Sequence, residues 1–257
     1  MIRTAKTYKP SSWGATTRYY EYVPSNGVKP IGVILFYHGM GERSTSNLSL
    51  VEANPLPKFL KVDGVRDGVE LPFIVLAPQE EAPSEWYGRA IDCVKLAKTY
   101  NLPIHKCGLS LGSMVDAEIL NNPETLNCFA SVATVCGKIN EFPGTLESLK
   151  KIPTIHFYGT ADNTIANGYA SVKAMHNKLK SAGADSTLIE YLGAGHGIWN
   201  SAYSPTAANG YINWLNSKFP AVPVEPPVPV TRLNIVKTQV EVSTGRIIHI
   251  DENGKEY

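Results

Sequence analysis

The pentapeptide Gly108-Leu109-Ser110-Leu111-Gly112 sets a serine between two glycines. Such a motif has chemical meaning where a strand precedes it and a helix follows. The sharp turn then holds the hydroxyl clear of the sheet, and the glycines remove side chains that would collide there. IHKCGL before Ser110 reads as a strand and residues 111–121 as a helix, so Ser110 is the candidate nucleophile. A serine hydroxyl attacks poorly until a base takes its proton, and the base needs a third group to orient it. Of six histidines, His105 and His156 fall inside predicted strands, where a hydrogen-bonded structural imidazole is expected. His176 lies in a predicted helix and His249 near the C-terminus. His38 ends a strand and reads as a structural tie for the loop after it. His196, in the loop GAGHG after the last predicted strand of the main sheet, is the candidate base. Asp162 follows the strand TIHFY and is the candidate acid. Asp116 competes less well, about two turns into the helix that Ser110 starts. Asp185 precedes a strand, at the opposite edge of the sheet. The chain order Ser110, Asp162, His196 is one in which this nucleophile turn finds its partners.

Acyl transfer at a serine passes through a tetrahedral oxyanion that needs two preorganised donors. The backbone N–H of Leu111 is one. The loop HGMGER, residues 38–43, supplies the other, assigned to the N–H of Met40, while Gly39 lets the backbone approach the substrate. Trp86 and Trp199 lie in loops at the same edge and either line the substrate pocket or pack those loops. Glu42 and Arg43 either contact substrate or form an ion pair that fixes the oxyanion loop.

These residues need elements to carry them. Apolar runs recur at residues 31–37, 73–77, 104–109, 129–135, 154–158 and 187–192, after an early aromatic strand at 16–23. Near-continuous apolar runs are typical of strands buried on both faces. Segments 86–100, 111–121, 165–182 and 205–218 carry apolar residues at helical spacing. The alternation predicts an α/β protein with a doubly wound, mostly parallel sheet over residues 1–219. Prolines at two- to three-residue intervals make 220–230 a stiff linker, and 231–257 reads as a β-hairpin appendage joined at Ser243-Thr244-Gly245. A lone hairpin is marginal in water, so this appendage is expected to dock on its own subunit or on a second copy. The connection 137–153 is short and partly charged, which argues against a large lid and for an open cleft.

With 24 basic and 23 acidic side chains the net charge is +1. That balance offers no clustered basic footprint for nucleic acid or an anionic membrane. A neutral or weakly charged ligand is expected. The N-terminal eight residues lack the apolar stretch of a secretory signal, and the longest apolar run is far short of the roughly 20 residues of a membrane helix. Cys93, Cys107, Cys128 and Cys136 form no CxxC pair and read as buried thiols in a reducing, cytoplasmic setting.

HGMGER, GLSLGS, YGTADNTI and GAGHGIW resemble, in order and spacing, motifs of esterases related to feruloyl esterases and polyhydroxybutyrate depolymerases, over residues 16–219. The resemblance implies the α/β-hydrolase fold, a Ser110–Asp162–His196 triad, hydrolysis of carboxylic esters through an acyl-enzyme, and no cofactor or metal. Ser113 stands where many of these esterases have a second glycine. An open cleft fits short-chain, acetylated-carbohydrate or hydroxycinnamoyl esters. A serine peptidase of the same fold and a non-catalytic binding module are the alternatives.

Overall fold

Val33–Tyr37 is buried at every position, and a strand of that kind must be covered on both faces. The computed structural model provides that cover. It describes residues 1–10, 16–25, 27–60, 69–81, 86, 88–139, 143–221, 235–241 and 246–251. In chain order the elements are β1 (Ile2–Tyr8), β2 (Thr17–Val23), β3 (Val33–Tyr37), β4 (Ile74–Gln79), α1 (Arg89–Lys98), β5 (Ile104–Gly108), α2 (Asp116–Ile119) and β6 (Phe129–Val135). They continue with α3 (Pro143–Leu149), β7 (Thr154–Gly159), α4 (Gly168–Ser181), β8 (Ser186–Tyr191), α5 (Trp199–Ala202) and α6 (Tyr211–Lys218). The last two are β9 (Ile235–Glu241) and β10 (Arg246–Asp251).

Eight strands form one sheet in the order β1-β2-β4-β3-β5-β6-β7-β8. β1 and β2 pair antiparallel, β2 meets β4 antiparallel, and every pairing from β4 to β8 is parallel. Alternate residues feed two cores. Ile34, Phe36, Val75 and Cys107 join one, and Val33, Leu35, Tyr37 and Leu76 the other. The chain leaves β3 toward β4 on one side and returns to β5 on the other. A crevice therefore opens beyond the carboxyl ends of β3 and β5, where open α/β sheets bind ligands. Residues 1–221 form one compact unit and 222–257 another, in which β9 and β10 pair antiparallel. Most of the predicted linker, 222–230, lies outside the described residues.

Several expectations need correction. β1 was not expected: its pattern is mostly exposed, as befits an edge strand, and it carries no apolar run. The helix predicted over 86–100 starts only at Arg89, because Trp86 and Gly88 take φ of 64° and 70°, outside helical space. The helix over 111–121 is replaced by a 3₁₀ turn, Ser110–Ser113, and the four-residue α2. Part of 137–153 is helical as α3, while residues 140–142 lie outside the described residues. Cys93, Cys107 and Cys136 are buried, but Cys128 is partly exposed and its thiol reaches the Glu124 carbonyl at 3.4 Å; all four are free. Among the described residues no helix is long and apolar enough to cross a membrane.

Candidate active site

The chain enters the nucleophile turn from β5 in extended conformation at Leu109 and then forces Ser110 to φ 51°. A non-glycine residue in that region is strained, and such strain collects at functional turns. The turn is tight: a Cβ at Gly112 would lie 2.1 Å from the Tyr37 carbonyl oxygen, so only glycine fits beneath β3. Ser113 donates from Oγ to the Gly108 carbonyl at 2.7 Å and accepts from the Val135 N–H at 2.9 Å. The serine in place of a second glycine thus fastens the turn to β6.

Asp162 and His196 come from the loops after β7 and β8. Those loops lie so close that a Cβ at Gly159 would sit 2.3 Å from the Gly195 carbonyl oxygen, and the Ala161 N–H donates to the Ala194 carbonyl at 3.0 Å. Asp162 Oδ1 accepts from the Thr164 N–H at 2.9 Å, leaving Oδ2 for His196 Nδ1 at 2.8 Å. His196 Nε2 lies 2.8 Å from Ser110 Oγ. A carboxylate only accepts, so Nδ1 carries the proton and Nε2 is free to take the one from Ser110. The Asp162 side chain is fully buried and that of His196 is 18% exposed. Trp199 meets the imidazole edge to face, with centroids 5.3 Å apart.

Across the crevice the loop after β3 is rigidly tied. Gly39 O can only accept, so His38 Nδ1–H donates to it at 2.6 Å and Nε2 accepts the Glu80 N–H at 2.8 Å. Burial pushes the His38 pKa down to about 4, which keeps the ring neutral in that one tautomer. Gln79 Nε2 donates to the Glu42 carbonyl at 2.9 Å, and Asn54 Nδ2 to Glu42 Oε1 at 2.7 Å. Burial raises the Glu42 carboxyl pKa, and the Asn54 hydrogen bond opposes that rise. Met40 and Leu111 flank Ser110 in the wall of a cleft of about 490 Å³. Leu111 lies in the first turn of a 3₁₀ segment, where backbone N–H groups lack intrahelical partners.

The cleft gathers Ser110, His196, Met40, Leu111 and Trp199 as read from the sequence. Trp86 and Arg43 are not among its walls. Trp86 is buried behind the oxyanion loop, where its Nε1–H donates to the His38 carbonyl at 3.3 Å and its ring packs on Tyr37. Its backbone there takes a positive φ of 64°. Arg43 folds back on its own loop, Nε donating to the Met40 carbonyl at 3.2 Å. Trp199 Nε1–H donates to Asn54 Oδ1 at 3.1 Å, so Trp199 both lines the cleft and braces Asn54. Sequence reading missed Asn54 and Met114, which belong to the cleft but to no motif, and gave no role to Ile165, which closes YGTADNTI and also lines the cleft.

The remaining histidines divide. His105 Nδ1 pairs with Ser131 Oγ at 2.9 Å, as expected of a structural imidazole. His156 departs from that expectation: fully buried in β7, neither ring nitrogen has a hydrogen-bond partner among the described residues, and burial drives its pKa down to about 3. The His176 ring and the positive charge of nearby Lys106 add to that lowering, so His156 persists as the neutral ring. Behind the triad, Cys136 Sγ lies with an Asp162 oxygen and a His196 nitrogen inside a 4.8 Å grouping of donors that could ligate a metal. The thiol is buried and its pKa is pushed up to about 12, and the Asp162 and His196 atoms are engaged with each other.

No protein-family profile and no curated protein sequence matches this chain. Solved structures do. A thermostable esterase superposes with a TM-score of 0.63 at 26% identity, over 84% of this chain. The chain spans only 62% of that esterase's length. Esterase 2 of the planctomycete Thermogutta terrifontis superposes with a TM-score of 0.57 at 18% identity, over 87% of this chain and 95% of its own. The chain shares the mostly parallel α/β fold of these esterases. A butyrate-bound form of the Thermogutta esterase matches with a TM-score of 0.56, as does one phosphonylated by cyclosarin. At 17% identity those two speak to the fold alone and not to reaction or substrate.

Proposed function

We propose that the protein is a serine carboxylesterase in which Ser110 attacks the ester carbonyl, His196 is the general base and acid, and Asp162 orients His196. The observation that carries this reading is the unbroken chain from Ser110 Oγ through His196 to Asp162, two contacts of 2.8 Å at the floor of the cleft. As Ser110 Oγ bonds to the carbonyl carbon, its proton passes to His196 Nε2. The imidazolium is stabilised by the buried Asp162 carboxylate. Negative charge collects on the carbonyl oxygen, toward the N–H groups of Leu111 and Met40. Collapse breaks the ester C–O bond, and His196 returns the proton to the leaving alkoxide. Water then repeats the sequence on the acyl-enzyme and releases the acid.

The walls support a substrate class. Leu109, Leu111, Met114, Ile165 and Trp199 give the cleft an apolar lining, with Glu42 and Asn54 as a polar end. This supports esters with a compact acyl group, of the short-chain, acetylated-carbohydrate or hydroxycinnamoyl type. The esterase names of the matched structures and the organophosphate adducts of the Thermogutta enzyme support the reaction class.

Two measurements test the reading together. A fluorophosphonate should modify Ser110 alone, located by mass spectrometry of the digested protein. A panel of p-nitrophenyl esters beside aminoacyl p-nitroanilides should show ester turnover dominating and falling for acyl chains beyond about ten carbons. Faster anilide turnover would assign a peptidase instead, and an adduct elsewhere would remove Ser110 from the mechanism.

A further inference from the structure

A lysine and an aspartate with essentially no exposure, 0% and 1%, lie beneath the nucleophile turn. Lys106 stands on β5 and Asp116 opens α2, with Nζ and Oδ1 2.7 Å apart. Thr134 on β6 donates to the other carboxylate oxygen at 3.2 Å. Lys106 Nζ also reaches the Ser113 carbonyl at 3.4 Å. That carbonyl needs a donor. In a continuous α-helix it would accept from Ala117, but here the Ala117 N–H goes to the Met114 carbonyl at 3.3 Å, because the turn is 3₁₀ at this point.

We infer that Lys106 and Asp116 are positioning residues for catalysis: their ion pair closes residues 106–116 into a buried loop that holds Ser110 and the Leu111 N–H in register with His196. This rests on the proposed serine mechanism. Burying two opposite charges is a poor way to gain stability, since well-packed apolar pairs of similar volume are often as stable or more so. A geometric role accounts for the pair better. Ser110 is held at a strained φ with no long helix behind it, as α2 spans only four residues. The strained serine therefore depends on tertiary ties: the ion pair, Ser113, the Tyr203 hydroxyl donating to the Gly108 carbonyl at 2.9 Å and the Leu109 N–H donating to the Tyr37 carbonyl at 3.2 Å. Displacing a reacting group by about 1 Å costs on the order of 100-fold in rate.

The test separates stability from position. Lys106→Met and Asp116→Leu, each alone, strand a buried charge and should lower Tm by about 10 °C. The double variant K106M/D116L removes both charges and should recover most of that Tm. Its kcat on a p-nitrophenyl ester and its rate of fluorophosphonate labelling should nevertheless stay at least tenfold below wild type, with KM within about twofold. Lys106→Arg keeps the charge pair and the fold, but its planar fork cannot present one proton to Ser113 in the same space; its kcat should fall three- to tenfold. If either variant melts cooperatively near the wild-type Tm and turns over at the wild-type rate, the pair is structural only and the inference is overturned. Should K106M/D116L not fold, Lys106→Arg decides alone. A wild-type protein that neither labels at Ser110 nor hydrolyses esters overturns the mechanism and this inference with it. An active wild type beside a fully active variant overturns only the positioning role.

Discussion

His38 and His196 both sit in loops at the carboxyl edge of the sheet, and both loops meet Ser110, yet their imidazoles are built for opposite purposes. His38 is fully buried, with both ring nitrogens committed to backbone groups, Gly39 O and Glu80 N–H. His196 is partly open to the cleft; only Nδ1 is committed, and Nε2 faces a hydroxyl that can give up its proton. One ring is a bracket whose protonation would break its own hydrogen bond to Glu80. The other is placed to exchange a proton with Ser110 across a 2.8 Å contact, as the proposed mechanism requires. Residue type alone does not separate a structural histidine from a reactive one; burial and the chemistry of its two partners do.

The largest effect expected from this contrast is at His196. His196→Ala, like Ser110→Ala, should lower kcat by a factor on the order of 10⁴ or more, and adding the second substitution to the first should cost little further, because the two act as a unit. Steady-state rates on a small p-nitrophenyl ester measure it. Additive losses in S110A/H196A would mean that the 2.8 Å contact between them is not the proton path.

His38→Ala sharpens the comparison from the other side. The Glu80 N–H loses its acceptor and the Gly39 peptide its tie, so kcat should fall about 10- to 100-fold with the pH–rate profile unmoved near neutrality. The same ring has a second readout. His38 and His105 are held to about 4 and His156 to about 3, against an ordinary value of 6.5. Above pH 6.5 all three are neutral folded or unfolded and make no difference. As pH falls from 6.5 toward 4, the unfolded chain takes up protons that the folded state refuses, so stability falls at up to about 1.4 kcal/mol per unit for each ring. Tm should decline through that window in the wild type and less steeply in His38→Ala. Parallel slopes would show that His38 does take a proton in the folded state.

Much of this was legible in the sequence, for reasons that can be located. Central strands such as β3 and β6 announce themselves because burial on both faces demands unbroken apolar runs, VILFY and FASVATV. The candidate triad is legible because its members follow such strands, and two of them stand near a glycine that close packing requires, Gly112 near Ser110 and Gly159 near Asp162. What escaped lies where spacing carries no information. Asn54 belongs to an irregular stretch and acts only through Glu42 and Trp199, 12 and 145 residues away in the chain. Lys106 reads as a polar residue in an otherwise apolar strand, and nothing in IHKCGL marks it as reaching Asp116. The break of the helix after Ser110 was invisible too, since 111–121 keeps helical spacing while the Ser113 carbonyl is taken up by Lys106 from β5.

The two tryptophans extend the contrast to a smaller effect. Trp86 stands on the His38 side, with 1% exposure, and Trp199 on the His196 side in the cleft wall. Trp86→Phe should lower Tm by several degrees, through lost contacts with Tyr37 and the lost bond to the His38 carbonyl, with KM unchanged. Trp199→Phe should leave Tm nearly alone and raise KM about two- to fivefold as Asn54 loses its donor. Thermal melts and KM for one ester distinguish them; a reversed pattern would exchange the roles given to the two loops.

The smallest effect is expected where neither loop is touched. All residues assigned to the triad, the oxyanion donors and the cleft fall within the unit spanning residues 1–221, and β9 and β10 belong to the second unit. Two antiparallel strands make a marginal fold by themselves, and a two-stranded sheet has outer edges whose ladder groups pair readily with another strand. Removing residues 222–257 should therefore leave kcat on a small ester within about twofold of the full chain, while the sedimentation-derived mass changes if those edges serve self-association. The proton chain through His196 and the bracket at His38 are complete without the segment, so a truncated protein that melts normally but has lost a hundredfold in kcat would mean that the second unit contributes to the reaction. A truncation that leaves both kcat and mass unchanged would strip the hairpin of the associative role and leave the comparison between the two histidine loops intact.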